Sequence, residues 1–184
     1  MILVRMTPSQ YQDLHIINQY IAPDQWSWVS SNVLGIDIDH EQSPELLSLF
    51  KAIIRENFHN ITLLMTYRAN DFSVYLLNLL HQTSPGKIYD LVDGLIVSMS
   101  LHNEELLAKA QSVYASFPAE LMDVVVCYCR HQGSLKACAQ ELYLHRNTVN
   151  QKIQAFIAQT GINIRLASFQ LFIRVLNTLL YGQK

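Results

Sequence analysis

The period of the apolar positions changes partway along the chain. Over the first 70 residues, short apolar runs alternate with amphipathic stretches. Met1 to Met6 reads as a strand. Thr7-Pro8 opens a helix, with Thr as N-cap and Pro at the first helical position. That helix would bury Tyr11, Leu14, Ile16 or Ile17, and Ile21, and stop before Pro23. Within Trp26 to Asp39, the alternation of Ile36 and Ile38 with Asp37 and Asp39 predicts a strand. Ser43-Pro44-Glu45 starts a second helix, with a stripe of Leu46, Leu47, Phe50, Ile53, Ile54 and Phe58. Asn60 to Tyr67 reads as a buried strand. The order strand, helix, strand, helix, strand is that of a small α/β unit over residues 1–70.

Beyond Asp71 the strand signals stop. Residues 71–116 read as a helical connector. Its helices are Phe72 to His81, ended by Thr83-Ser84-Pro85-Gly86, and Ile88 to Met99, weakened by Gly94. A third is opened by Asn103-Glu104-Glu105 and runs to Phe117. Pro118 opens the next helix, with Leu121, Val124, Val125 and Tyr128 inward and His131-Gln132-Gly133 as its exit. A last helix from about Leu166 to Leu180 carries Phe169, Phe172, Ile173, Leu176, Leu179 and Leu180, with Leu171 and Val175 as a second stripe. So broad an apolar surface predicts either a partner surface or cover by the N-terminal body. The expected fold is mostly α: a small N-terminal α/β unit, a helical region and a C-terminal helix-turn-helix bundle over residues 117–184.

The helix-turn-helix reading rests on Ser134 to Gly161. Ser134 is an N-cap. Ala137, Cys138, Ala139 and Leu142 form a short inner face, and the small Ala139 lets a second helix cross closely. Tyr143-Leu144-His145 is the turn, with Leu144 inward. The second helix begins near Arg146 and buries Val149, Ile153, Phe156 and Ile157 at the 3.6 period. Thr160-Gly161 ends it, Gly161 tolerating a left-handed position. Its outer face is polar, with Arg146, Asn147, Asn150, Gln151 and Gln154, and Lys152 at the edge. Arg pairs bidentately with guanine, and Asn and Gln with adenine, when such a helix lies in a major groove. Thr148 and Lys152 suit phosphates. His145 is either a contact or the residue that caps the second helix.

The run Ala139-x-x-Leu142-x-Leu144-His145-Arg146-Asn147-Thr148-Val149, followed by Ile153 and Thr160-Gly161, resembles the C-terminal domain of the PucR/CdaR family of bacterial transcription regulators. The resemblance covers about Phe117 to Leu180 and implies a Fis-like helix-turn-helix that binds double-stranded DNA. Two positions depart from the pattern. Asn150-Gln151-Lys152 stands where the family has a more basic run, and Tyr143 stands where Fis-like motifs often have glycine. A positive φ at Tyr143 would be strained. Such regulators often have a degenerate GGDEF-like domain ahead of this one; the first 70 residues would be its remnant, without a Gly-Gly-Asp-Glu-Phe motif.

Charge sharpens this picture. The chain has 184 residues, half of them apolar, 15% charged, with net charge −2. Residues 118–184 carry seven Lys/Arg against three acids, and residues 1–117 carry six against twelve. A basic module on an acidic body is the asymmetry of a DNA-binding domain beside a regulatory one. No apolar run approaches the ~18 residues of a membrane span, and MILVRM is too short for a signal peptide. The expectation is a cytoplasmic protein with three reduced cysteines.

Other clusters carry weaker chemistry. Asp37, Asp39, His40 and Glu41 are either a metal or effector site or, the favoured reading, a solvated strand end. Cys127, Cys129, His131 and Cys138 invite a zinc site, but Cys127 and Cys129 point about 200° apart on a helix. Cys127 and His131 share a face without the spacing of a closed structural site, so buried small hydrophobes are favoured and no metal or cofactor is expected. No Gly-x-Ser-x-Gly, phosphate loop or paired-carboxylate frame suggests an enzyme. The leading expectation is a homodimeric, sequence-specific DNA-binding regulator that reads DNA through His145, Arg146, Asn147, Asn150 and Gln151, with Thr148 and Lys152 on phosphates. The rivals are a protein-interaction or dimerisation module with a degenerate motif, and a small-molecule sensor using the N-terminal part.

Overall fold

The computed structural model describes residues 1–6, 19–38, 43–56, 61–101 and 103–182. Residues 7–18 of the expected helix after Thr7, Phe58, and the Asp39 to Glu41 part of the acidic cluster lie outside these residues; Gln19 to Ala22, the expected end of that helix, form a turn instead, with Ile21 buried as expected. The described chain forms two compact units, Met1–Asn103 and Glu104–Lys184.

The first unit is built on β1 (Ile2–Arg5), whose Ile2, Leu3 and Val4 are all buried. Burial on both faces explains why it reads as a continuous apolar run rather than an alternating one. β1 lies at the centre of a five-stranded sheet of order β2-β3-β1-β4-β5, antiparallel to β3 (Val33–Ile36) and to β4 (Thr62–Met65). Ile2 sits opposite Ile36 on one side and Met65 on the other. On one face, Ile2, Val4, Leu34, Ile36 and Leu63 pack with Leu46 and Phe50 of α1 (Ser43–Glu56). Residues of opposite parity, such as Leu3, face α2 (Asp71–Thr83), which packs on β1 and β4. The sheet with a helix on each face, and the helical chain that follows, bear out the expected mostly-α fold with an N-terminal α/β unit.

Three local expectations are corrected. The single strand expected within Trp26 to Asp39 is a hairpin: β2 (Trp26–Ser30) turns at Ser31-Asn32 into β3. Asp37 and Ile38, whose alternation suggested the strand, lie past its end. β2 is an edge strand, so its residues are mostly exposed and their pattern carries little signal. Secondly, Ile88 to Met99 is not one helix. Ile88–Asp90 is β5, parallel to β4, and α3 is Leu91–Met99. Strand becomes helix without a loop because the Asp90 carboxylate accepts from the N–H groups of Val92 and Asp93, at 2.8 and 2.7 Å. Thirdly, residues 71–116 are not strand-free: α2 and β5 complete a βαβ crossover on the sheet, and the chain from Glu104 onward belongs to the second unit. Gly94 has a packing reason, since a Cβ there would meet Leu80 Cδ1 at 3.0 Å and Leu76 Cδ2 at 3.1 Å.

The second unit contains α4 (Glu104–Ala115), α5 (Ala119–Arg130), α6 (Leu135–Glu141), α7 (Arg146–Thr160) and α8 (Ala167–Tyr181). α5 packs against α6, α7 and α8. Its inward Leu121, Val124, Val125 and Tyr128 are buried as expected, with Val149, Ile153 and Phe156 of α7 and Phe172, Ile173 and Leu176 of α8. Phe117 meets Phe156 edge-on, with centroids 5.5 Å apart. Each such apolar side chain contributes about 1.5–3 kcal/mol by burial, so this core holds α7 in place without help from its polar face. Tyr114 Oη donates to Asn177 Oδ1 at 2.7 Å and ties α4 to α8.

Candidate nucleic-acid interface

The motif begins as its residues dictate. Ser134 caps α6, its Oγ accepting from the Ala137 N–H at 3.2 Å. Cys138 and Ala139 are buried at the crossing with α7, while Leu142 and Leu144 are half-buried. α6 ends in a Schellman turn: the Leu144 N–H donates to the Ala139 carbonyl at 3.0 Å. That geometry puts Tyr143 at φ +55°, the left-handed conformation usually given to glycine. The Tyr143 ring is 95% exposed, so no packing compensates for the backbone strain. α7 then starts on His145, whose Nδ1 accepts from the Asn147 N–H at 3.2 Å. Of the two roles open to His145, capping is therefore formed. At the far end Gly161 adopts φ +75°, and Thr160 Oγ donates to the Phe156 carbonyl at 2.7 Å.

The outer residues of α7 do not form one patch. At ~100° per residue, Asn147, Gln151 and Gln154 share the face opposite Val149, Ile153 and Phe156, and all three are exposed. Arg146 and Asn150 lie on one flank, Thr148 and Lys152 on the other. Arg146 is exposed, whereas Asn150, Thr148 and Lys152 are half-buried. Asn150 Oδ1 accepts from Arg165 Nη2 at 2.9 Å, so this amide is oriented by the loop after α7. Lys152 turns back toward α5, its Nζ 3.4 Å from the Glu120 carbonyl. The structure thus gathers His145, Arg146, Asn147 and Gln151 at the exposed N-terminal half of α7, holds Asn150 through Arg165, and sets Lys152 apart.

Three further residues of the unit were not singled out from the sequence as contacts. Arg165 is exposed and reaches Asn150 from four residues beyond Gly161, in a loop without periodicity that would place it. Lys136 stands exposed in the first turn of α6. Tyr143 was legible only as a departure from glycine. α7 carries no Asp or Glu, so its positively polarised N-terminus and its cations meet no opposing charge along the helix. Elsewhere in the unit, Cys129 and Cys138 are buried, and burial pushes both thiols up to about 12. They fill the role of small core residues.

Comparison with known proteins agrees with this geometry. The model of the PucR C-terminal helix-turn-helix domain matches residues 121–175, from the first turn of α5 into α8. A curated relative, the "Leucine-rich protein" of Streptococcus dysgalactiae subsp. equisimilis, is 28% identical over 87 residues. That match covers 47% of this chain and only 31% of the relative's length. No solved structure matches the chain. Among the described residues, no helix is long and apolar enough to cross a membrane.

Proposed function

We propose, from the premise that residues 121–175 are a PucR-type C-terminal helix-turn-helix domain, that this chain is a homodimeric transcription regulator that binds double-stranded DNA in a sequence-specific way. The observation that carries the reading is the capped, acid-free α7, with Arg146, Asn147 and Gln151 in solvent at the end an incoming duplex would meet. In this reading α7 enters the major groove. Arg146 takes a guanine edge, and Asn147, Asn150 and Gln151 read adenine or pair with neighbouring bases. Lys136, Arg165 and Thr148 hold phosphates, the first helix of the motif crossing the backbone. Lys152 joins them only by leaving the Glu120 carbonyl. Tyr143 lies over the sugar-phosphate edge, where an exposed ring on a strained backbone has a use. Two copies would meet half-sites about 34 Å apart.

Arg146→Ala tests the assignment. Binding to the preferred sequence should weaken by about 1–3 kcal/mol while discrimination at one base position relaxes. Unchanged affinity and discrimination would remove Arg146 from the reading set.

The sensor reading has an observation of its own. A surface cavity of about 320 Å³ in the first unit is lined by Lys51, Ile54, Arg55, Gly86, Lys87 and Ile88. Three cations over two isoleucines suit a small organic anion as effector. Thermal stabilisation by members of a carboxylate and phosphate metabolite panel, lost in Arg55→Ala, would support it. No stabilisation by any member would refute it.

A further inference from the structure

Cys127 sits in the last turn of α5, His131 follows it by one helical turn, and Glu141 is the last residue of α6. The Cys127 Sγ, an imidazole nitrogen of His131 and a carboxylate oxygen of Glu141 lie within 4.8 Å of one another. This differs from the cysteine set considered in the sequence, where Cys129 and Cys138 were the partners and Glu141 was absent. His131 Nε2 lies 2.6 Å from Glu141 Oε2, and Arg130 Nη2 bonds the other carboxylate oxygen. Cys127 is buried, His131 half-buried and Glu141 exposed, so the cluster opens from the core toward solvent. A surface cavity of about 320 Å³, with Val126 and Leu142 in its wall, opens beside Cys127 and Arg130.

We propose that Cys127, His131 and Glu141 are three ligands of a zinc-class divalent ion, with water as the fourth. The donor set is one soft thiolate, one imidazole and one carboxylate, which selects this class over calcium or magnesium. Zn–S of ~2.3 Å and Zn–N or Zn–O of ~2.0–2.2 Å in a tetrahedron require ligand atoms roughly 3.3–3.7 Å apart. The His131–Glu141 separation of 2.6 Å falls below this range, and no pair of the three atoms is more than 4.8 Å apart. An ion would push the imidazole and carboxylate apart from 2.6 Å and draw in the widest pair from 4.8 Å or less. Rotation of the exposed Glu141 side chain supplies most of that movement. Arg130 keeps the second carboxylate oxygen and orients the ligand, as partners of metal-bound carboxylates commonly do. On binding, the Cys127 thiol gives its proton to solvent and its sulfur lone pair to the ion; no oxidation is involved. The ion would join α5 to the end of α6, the helix that sets the turn at Tyr143, and so would fix the motif's first helix against α5. The site does not depend on the DNA reading.

The test uses the full chain under reducing conditions, titrated with Co²⁺ alone. A thiolate-to-cobalt charge-transfer band, with visible bands of four-coordinate intensity, should grow to one equivalent and be displaced by Zn²⁺. Cys129→Ser should keep the band and Cys127→Ser should lose it. His131→Gln and Glu141→Gln alter accessible side chains and keep the fold, so they carry the test if Cys127→Ser does not fold. Each should weaken Co²⁺ by at least about tenfold, and Zn²⁺ should raise the melting temperature of the wild type but of neither variant. Absence of the band in the wild type overturns the site. So does a band that survives Cys127→Ser, or one that binds Co²⁺ equally well in His131→Gln and Glu141→Gln.

Discussion

Replacing Tyr143 with glycine should make the second unit more stable and the protein a poorer DNA binder. Tyr143 occupies the left-handed position of the turn that ends α6, at φ +55°, and 95% of its surface is in solvent. An L-residue pays about 1–2 kcal/mol for that conformation. Glycine adopts it freely but loses about 0.5–1 kcal/mol more backbone entropy on folding. No packing is lost, because the ring touches almost nothing. The Leu144-to-Ala139 hydrogen bond that defines the turn uses the backbone alone and survives. The net effect is a stabilisation of roughly 0.5–1 kcal/mol. For a unit of this size that raises the midpoint by roughly 2–8 °C. The assay separates the two units, because both tryptophans, Trp26 and Trp28, lie in the first. The far-UV helical transition should move up in Tyr143→Gly while the transition followed by tryptophan fluorescence stays in place. A helical midpoint that falls or does not move would refute the strain argument. A rise in midpoint with undiminished DNA affinity would keep the strain and remove Tyr143 from the interface.

Other outcomes follow from the same geometry. Ile153→Ala removes a fully buried side chain from the centre of α7; it should cost about 2–5 kcal/mol in urea unfolding, with DNA binding lost in parallel. His145→Ala should lower stability by about 1 kcal/mol through the lost cap, and His145→Asn should restore it; if Asn also restores affinity, His145 acts as a cap rather than a contact. Lys136→Ala should weaken binding to all sequences alike and reduce the salt dependence of binding by about one unit of slope per site. His81 is held below its ordinary value by burial and then by the charge of Arg5, with Nδ1 3.0 Å from Thr62 Oγ1. Its unfolded form therefore binds more protons. The stabilisation is full above about pH 6.5 and is lost as pH falls through the lower folded value. Urea midpoints by tryptophan fluorescence should show a flatter acid-side decline in His81→Gln.

What could be read from the chain, and what could not, divides by range of interaction. Val149, Ile153 and Phe156 are legible because one helix repeats its burial every turn, and Ser134 and Gly161 because capping chemistry is local. Ile157, expected beside them, is only half-buried, at the margin of the same stripe. β5 was invisible because three residues show no period and their partner strand lies across a whole helix. The β2–β3 hairpin was missed because an edge strand need not alternate, and its turn, Ser31-Asn32, carries no glycine. In the candidate interface, the face of α7 followed from periodicity, but the partners of Asn150 and Lys152 did not. Arg165 arrives from the next loop and the Glu120 carbonyl from a helix 32 residues earlier. The approach of Glu141 to Cys127 likewise depends on the turn at His131 to Ser134 and on the direction in which α6 leaves it, which no residue spacing encodes.

Whether α7 reads base sequence is decided by selecting bound fragments from a random DNA pool at near-physiological salt, with wild-type protein and Arg146→Ala side by side. An enriched palindrome is expected for the wild type, with half-site centres about one helical turn apart, and loss of one base preference in each half-site for the variant. Equal recovery of all sequences by the folded wild type would contradict base reading by α7 and leave the helix-turn-helix as a packed interaction module.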